Sequence, residues 1–351
     1  SSVEDLAEAL GDCGSARRSV ELGGNFTKRP MGGEIAPADV TLSTRRLTRV
    51  VAYEPKDLTI SVEAGLAFRE LTKILGANGQ MLPLDPPFSD RATVGGVVAT
   101  NSSGPRRRRY GTARDMVIGM KACTLEGKIV QSGGMVVKNV TGLDMAKLMI
   151  GSFGTLAAMA TLNFKIFPCP AEVGTFVFSC DALEKALEVR REILGGVLQP
   201  IAIDLMNAEA VRDVAPELPP QVSLILEVGG NRATVKRFEN EFHELAKKQA
   251  DVDLNSFGPD EAAQLWRSIG NLTPAKLAAN PSTAVIRVSG VPTRIREIFA
   301  SALSGSRTRP LVVRAGAAVG YVYCADVQEA RDCMIDARSR GLSAVVEYAP
   351  V

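Results

Sequence analysis

Histidine is nearly missing from this chain: His243 is the only one in 351 residues. That excludes a paired-histidine metal centre and leaves the first 242 residues without an imidazole to act as base near neutral pH. The six cysteines (Cys13, Cys123, Cys169, Cys180, Cys324, Cys333) are scattered, and no Cys-x-x-Cys occurs. That spacing argues against zinc or an iron–sulfur cluster bound by this chain alone, so no metal site is expected, and reduced thiols in a cytoplasmic setting are. Charge of one sign is also lacking: 41 basic against 39 acidic residues give +2, too little to draw the chain to nucleic acid or an anionic membrane. No apolar run approaches the roughly 20 residues of a membrane span, so at most peripheral membrane contact is expected. The N-terminus is not signal-like, and Ser1 in place of an initiator methionine suggests a trimmed or processed chain. Gly-x-Gly-x-x-Gly is absent, which makes a Rossmann dinucleotide site unlikely on these residues; Gly-x-x-x-x-Gly-Lys-Ser/Thr is absent too, which removes P-loop chemistry.

What is present is a soluble-protein composition, 46% apolar and 23% charged, over a length that suits two domains. The most unusual stretch runs from Leu84 to Gly119. It holds Asp85-Pro86-Pro87, Ala92-Thr93-Val94-Gly95-Gly96-Val97-Val98-Ala99, Ser103-Gly104-Pro105-Arg106 and Tyr110-Gly111-Thr112-Ala113-Arg114-Asp115. Prolines fix the backbone and glycines admit close approach to it. A helix beginning after Thr93 would present free N–H groups to an anion. The stretch reads as one wall of a site for a large phosphate-bearing cofactor; alone, a glycine-rich surface loop would read the same. Upstream, a short strand at Ser19–Leu22 empties into Gly23-Gly24-Asn25-Phe26-Thr27-Lys28-Arg29, then Gly32-Gly33. Successive amides there could cradle phosphate, although a hairpin loop would look similar.

The periodicity predicts a helix capped by Ser2, strands over Arg49–Tyr53 and Leu58–Glu63, and a helix carrying Leu71, Ile74 and Leu75 that stops at Asn78-Gly79. A hairpin follows from Met116–Leu125 to Lys128–Val130 about Glu126-Gly127, then a strand at Met135–Lys138, a helix at Asp144–Ile150 and a β-like run from Gly154 to Phe167. Pro168 and Pro170 mark a boundary, giving domains at 1–170 and 171–351. Beyond it strands and helices alternate, which predicts helices laid on an antiparallel sheet, with a βαββα duplication. The fold class expected is α+β.

Taken together, the N-terminal motifs resemble the FAD-binding domain of the vanillyl-alcohol-oxidase/PCMH-type flavoproteins, and within that family the glycolate oxidase-like FAD-binding subunits. The likeness spans roughly residues 18 to 170. It rests on the segments above with Val62-Glu63-Ala64-Gly65, Leu82-Pro83-Leu84, Val137-Lys138-Asn139-Val140 with Gly142 and Asp144, and Gly151-Ser152-Phe153-Gly154-Thr155-Leu156. The resemblance implies a two-subdomain FAD-binding domain followed by a ferredoxin-like α+β cap. It implies that Gly23, Gly24, Asn25, Phe26, Thr27 and Lys28 hold the pyrophosphate. Pro86, Pro87, Thr93, Val94, Gly95 and Gly96 would line the flavin side, and Gly154, Thr155, Leu156 and Met159 would meet the cofactor through the backbone. Ala99, Ser103, Gly104, Tyr110, Gly111, Arg114 and Asp115 complete the implied cofactor-binding set. Three departures stand out. Asn25-Phe26 replaces glycine or small residues, implying a distorted or weaker first loop. Leu143 replaces the usual tyrosine. A Phe-Asp-Pro…Asn-Pro-Gly-type tail is missing after Val351, implying a cap without its C-terminal segment.

The implied reaction moves an α-hydride from a small 2-hydroxy acid to flavin while a base takes the hydroxyl proton. His243 lies one step off the apolar stripe Val235, Phe238, Phe242 and Leu245, so it reads as a solvated surface residue. No catalytic residue is assigned. The expectation is non-covalent FAD in one subunit of a complex with a second flavoprotein subunit and an iron–sulfur subunit, associated with a membrane only through those partners. Two alternatives are a self-sufficient FAD-dependent dehydrogenase whose cap supplies a tyrosine or arginine, and a non-catalytic scaffold that keeps the flavin fold. Arg106–Arg109 are expected partly near the cofactor or a subunit contact; with little aromatic interleaving, nucleic acid is not expected. Lys28 and Lys138 could neutralise pyrophosphate or be surface lysines. Trp266 is expected as a packed anchor, and Cys123 and Cys169 as buried small residues.

Overall fold

The computed structural model describes residues 2–32, 36–135, 144–249, 251–303 and 308–350. The chain forms two compact units. The first holds residues 1–29, 35–104 and 110–169; the second holds 30–34, 105–109 and 170–351.

The first unit opens with α1 (Val3–Ser15), where Ser2 accepts from the Asp5 amide and the Asp5 carboxylate accepts from the Ser2 amide. This reciprocal cap satisfies two donors that the first turn otherwise leaves open. Then come β1 (Val20–Gly23), β2 (Val40–Ser43), β3 (Val50–Glu54), β4 (Thr59–Glu63), α2 (Phe68–Gly76), β5 (Gln80–Met81) and α3 (Val94–Ala99). The one-turn helix α4 (Arg107–Tyr110), whose first three residues belong to the second unit, and α5 (Ala113–Met116) precede β6 (Val117–Cys123), β7 (Ile129–Gly133), α6 (Met145–Met149), β8 (Ala158–Lys165) and β9 (Phe167–Pro168). The main sheet has the order β3-β4-β8-β6-β7, antiparallel throughout. All five residues of β4 are buried, with Ile60 and Val62 beside Leu162 and Phe164 of β8 at the centre of the core. Burying such a side chain stabilises by about 1.5–3 kcal/mol, so this pair of strands anchors the domain. The predicted β6–β7 hairpin turns at Gly127, whose φ of +74° suits glycine. β1 and β2 form a separate parallel pair, and β5 pairs β9.

Several expectations differ in detail. Met116 ends α5 instead of starting a strand. Cys169 is exposed, whereas Cys123 is buried and its thiol is pushed up to about 11 by burial. The strand expected at Met135–Lys138 runs into residues outside the described set; so do Gly33, the Val137–Val140 motif with Lys138, Gly142 and Leu143.

The second unit carries β10 (Glu172–Cys180), α7 (Leu183–Gly195), β11 (Ala202–Met206), α8 (Ala208–Val214), β12 (Val222–Gly230), α9 (Arg232–Lys247), β13 (Val252–Phe257) and α10 (Pro259–Ala279). It continues through β14 (Ala284–Ser289), α11 (Ile295–Ala302), β15 (Leu311–Arg314), β16 (Val319–Cys324), α12 (Val327–Ser339) and β17 (Ser343–Tyr348). The strands make one antiparallel sheet, β13-β10-β12-β11-β15-β16-β14-β17. Each half has the strand order fourth-first-third-second of a ferredoxin-like βαββαβ unit, and the two second strands, β11 and β15, join the halves. One face of the sheet gives Phe176, Phe178, Leu205, Leu226, Ile286, Val313 and Val322 to a core shared with residues from α7, α9, α11 and α12. Phe238 and Phe242 of α9 are buried there, while His243 between the turns is exposed.

Candidate cofactor site

The first glycine loop leaves β1 and is held by Ser43, the last residue of β2, and by Thr44, the next. Ser43 Oγ donates to the Gly24 carbonyl at 2.8 Å, and the Thr44 amide donates to the Gly23 carbonyl at 2.8 Å. Phe26 adopts φ +53°, the left-handed region, and its ring lies over Gly23, where a Cβ would come within 2.5 Å of it. Gly24 presses on Thr93: a Cβ there would sit 2.1 Å from Thr93 Oγ1. Asn25 Nδ2 donates to the Arg91 carbonyl at 2.8 Å, and Lys28 Nζ to the Pro87 carbonyl at 3.3 Å, with the ammonium 5.7 Å from the Phe88 ring centroid. The loop Gly23–Lys28 and the segment Pro87–Thr93, far apart in sequence, therefore lie side by side. The main-chain N–H groups of Gly24, Asn25, Phe26 and Thr27 donate to no group among the described residues. Consecutive unspent amides around a left-handed residue, followed in sequence by Lys28, can line a concavity for oxyanions. These residues fit the diphosphate of a dinucleotide.

The helix expected to offer free amides does not. In α3, Val94 N–H donates to the Leu66 carbonyl at 2.9 Å and Gly95 N–H to the Ala64 carbonyl at 2.7 Å. Gly96 N–H goes to Thr93 Oγ1 at 3.3 Å, and Val97 N–H to the Thr93 carbonyl. All four first-turn donors are spent inside the protein, so the amides left open are those of the first loop. Gly95 is glycine because Ala64 lies against it: a Cβ would meet Ala64 Cβ at 2.8 Å and its carbonyl at 2.9 Å.

The remaining predicted positions are placed as follows. Asp85 (φ +45°) and Phe88 (φ +61°) flank Pro86-Pro87, and Gly104 N–H donates to the Leu84 carbonyl, with no room for a Cβ beside Asp85. Ser103 is buried. Tyr110 meets Phe167 edge-on at 5.0 Å. Asp115 caps Thr112 and lies where a Cβ on Gly111 would fall. Arg114 donates to the Lys147 carbonyl at 2.8 Å. The Gly151–Leu156 loop is stitched to the end of α3, Gly151 N–H to the Val98 carbonyl and Phe153 N–H to the Ala99 carbonyl. Gly154 there approaches Leu22 of β1. Phe153 and Leu156 are about half exposed, and Met159 is buried on β8. Ser43, Thr44 and Arg91, which shape the first loop, carry little sequence signal; two adjacent hydroxyls at the end of a short strand are a faint mark of the first two.

The arginine run has another destination. Residues 105–109 belong to the second unit, where Arg106 makes a two-pronged contact to Glu227 (2.8 and 2.9 Å) and Arg108 donates to Gln199 at 2.8 Å. On the sheet face away from the main core, Asp204 and Arg314 form a buried ion pair across the β11–β15 seam, and Arg314 lies over Tyr321. Tyr323 bonds Thr273 of α10 at 2.9 Å, and burial pushes its phenol up to about 12; burial raises Tyr321 too. Trp266 donates to Thr175 Oγ1 at 3.0 Å and is an anchor of α10 on the sheet. Among the described residues no group of histidine, cysteine and carboxylate side chains could hold a metal.

A family model described as FAD binding domain matches residues 1–133, the part of the chain that carries the first loop and α3. Over those residues the chain is similar to FAD-binding flavoproteins. It is 38% identical over 146 residues to glycolate oxidase subunit GlcE of Escherichia coli K12, covering 41% of this chain and 40% of that one. It is 30% identical over 221 residues to D-lactate dehydrogenase of Anaerostipes hadrus, covering 63% of this chain and 46% of that one. In each case less than half of the relative's length is spanned. Among solved structures, alkyldihydroxyacetonephosphate synthase superposes with a TM-score of 0.78 at 16% identity over 97% of this chain and 71% of that one, a likeness of fold.

Proposed function

We propose that this chain is the FAD-binding subunit of a glycolate oxidase-like 2-hydroxy acid dehydrogenase complex. In this reading it holds FAD non-covalently and passes electrons toward an iron–sulfur partner, beside a second flavoprotein subunit. The observation that carries the proposal is the run of unspent amides from Gly24 to Thr27 with Lys28 alongside. The similarity to GlcE and to a D-lactate dehydrogenase supports the substrate class.

The chain's residues divide the work unevenly. The first loop binds the diphosphate through main-chain donors, which need no charge of their own and leave Lys28 to offset the negative charge. Pro86-Pro87 and the α3 segment supply a rigid wall, and Gly151–Leu156 borders it at the far end of α3. Bound FAD supplies the two-electron acceptor. Removal of the hydroxyl proton is less well provided for. The first unit has no histidine, and Tyr321 and Tyr323, both raised above the ordinary phenol value, stay protonated at neutral pH and cannot serve as bases. That favours turnover assisted by a partner over a self-sufficient enzyme. Among the described residues no helix is long and apolar enough to cross a membrane, and the proposed setting is cytoplasmic, with membrane contact through partners.

The test is anaerobic addition of glycolate or D-lactate to the purified chain and to the complex isolated from its source. Flavin bleaching only in the complex is expected. Bleaching in the isolated chain would favour the self-sufficient dehydrogenase, and failure to take up FAD at all would leave only a scaffold.

A further inference from the structure

In the second unit the sheet face away from the main core carries a row of polar residues. The register puts Glu227 of β12, Asp204 of β11, Arg314 of β15, Tyr321 of β16 and Arg287 of β14 on that face, one on each successive strand. α10 covers part of it, with Trp266 on Thr175 and Thr273 on Tyr323. Residues 105–109 cross another part. Arg106 reaches Glu227, and the Arg108 stem lies where a Cβ on Gly316 would fall, just beyond β15. Arg107 sits between these two anchors. Burial raises the Tyr321 phenol and Glu347 adds to that, while Arg314, Arg107 and Arg287 pull against it. The three guanidinium groups therefore lie within electrostatic reach of one hydroxyl.

Charge on this face does not balance. Arg106 with Glu227, Arg314 with Asp204, and Arg287 with Glu347 cancel in pairs. Arg107 is left over. Its guanidinium and the Tyr321 hydroxyl, both on half-buried residues, make no hydrogen bond or ion pair among the described residues. Arg108 and Arg109 are exposed, and water and salt screen them. A half-buried cation without a counter-ion is an unfavourable arrangement that an anion relieves.

We infer that Arg107 and Tyr321 take the carboxylate of a small monocarboxylic acid, one oxygen accepting from the guanidinium and the other from the phenol O–H. A protonated phenol is a donor, and an ionised carboxylate accepts on both oxygens. One unbalanced positive charge matches one carboxylate. Inorganic phosphate and dicarboxylates carry further negative charge, which Asp204 and Glu347 repel. That the acid is a 2-hydroxy acid such as glycolate rests on the function proposed above; the site for a carboxylate does not.

Calorimetric titration of the purified full chain with sodium glycolate, sodium phosphate and sodium succinate tests this. Saturable one-to-one binding of glycolate is expected, with a Kd on the order of 1 mM, and at least about tenfold weaker binding of phosphate and succinate. Arg107→Met and Tyr321→Phe should each weaken glycolate binding by about tenfold, as for loss of one charge-assisted hydrogen bond. Arg107→Lys keeps the charge and should keep most of the affinity. Arg109→Met, at the exposed end of the same run, should bind as the wild type does. The variants should retain wild-type circular dichroism and Tm. Glycolate that does not bind, that binds equally well after both Arg107→Met and Tyr321→Phe, or that binds no better than phosphate overturns the inference. A wild-type chain that takes up no FAD yet binds glycolate through these residues leaves the inference standing and overturns the function proposed above.

Discussion

Gly24 and Thr93 touch so closely that any side chain at Gly24 would overlap the threonine: a Cβ would lie 2.1 Å from Oγ1 and 2.6 Å from Cγ2. Through this contact the first loop rests on the residue that caps α3. Gly24→Ala must therefore displace the loop, and with it the amides of Asn25, Phe26 and Thr27. The overlap is expected to cost about 1–3 kcal/mol of stability. Bound flavin per chain after purification should fall at least about tenfold, while circular dichroism stays close to wild type.

In the proposed site Lys28, next to Pro87 and Phe88, offsets phosphate charge. Replacing it by methionine keeps the aliphatic stem and removes the ammonium. FAD affinity measured by flavin fluorescence should weaken by about tenfold, as for loss of one charge-assisted contact. The salt dependence of binding should flatten in the variant, because salt screens a charge that is no longer there. Unchanged affinity and salt dependence would place the diphosphate elsewhere.

The α+β class and the central strands of the first domain were legible because burial there is written as pattern. Ile60 and Val62 with their neighbours form an unbroken β-rich run, and Gly127 sits between two such runs. Other elements leave weaker traces. β2 pairs in parallel with β1 from about twenty residues away, and only the finished fold shows it. β13 leaves no strand signal, because its exposed edge is polar and reads as loop. At the site, sequence marks where glycines are but not what each one approaches. Gly24 approaches Thr93, Gly95 approaches Ala64, and Gly111 approaches Asp115. The destination of an amide is likewise invisible: Val94 and Gly95 look available in a string of letters and are bonded to Leu66 and Ala64.

Gly95 separates these meanings experimentally. A side chain there meets Ala64 before it can meet a cofactor. Gly95→Ala is therefore expected to lower stability by about 1–3 kcal/mol in the flavin-free protein, measured by urea denaturation. Were Gly95 glycine only for the cofactor's sake, the flavin-free protein would be as stable as wild type and only flavin binding would suffer.

Cys180 gives a pH prediction. It lies buried at the end of β10, and burial pushes its thiol from an ordinary value of 9.0 up to about 12. A folded-state value above the unfolded one means the stabilisation is complete below pH 9 and is lost as pH rises toward 12. The unfolded chain loses its proton first, so each pH unit in that window removes up to about 1.4 kcal/mol. Cys180→Ala should show a shallower fall in urea-derived stability between pH 9 and 11 than the wild type. Equal slopes would show that this thiol ionises normally in the folded protein.

The Asp204–Arg314 pair bears on how the two ferredoxin-like halves stay together. Both residues sit at the β11–β15 seam, with side-chain exposures of 0% and 12%. Removing one partner takes away the other's ion pair in a poorly solvated place, which typically costs about 3–5 kcal/mol. Arg314→Met should therefore destabilise strongly in urea. Asp204→Leu combined with Arg314→Met should recover most of the loss, since an apolar pair of similar volume leaves no charge unpaired. If the double variant is no more stable than Arg314→Met alone, the seam depends on the ion pair itself, with Arg314 stacked on Tyr321, and not on avoiding a buried charge.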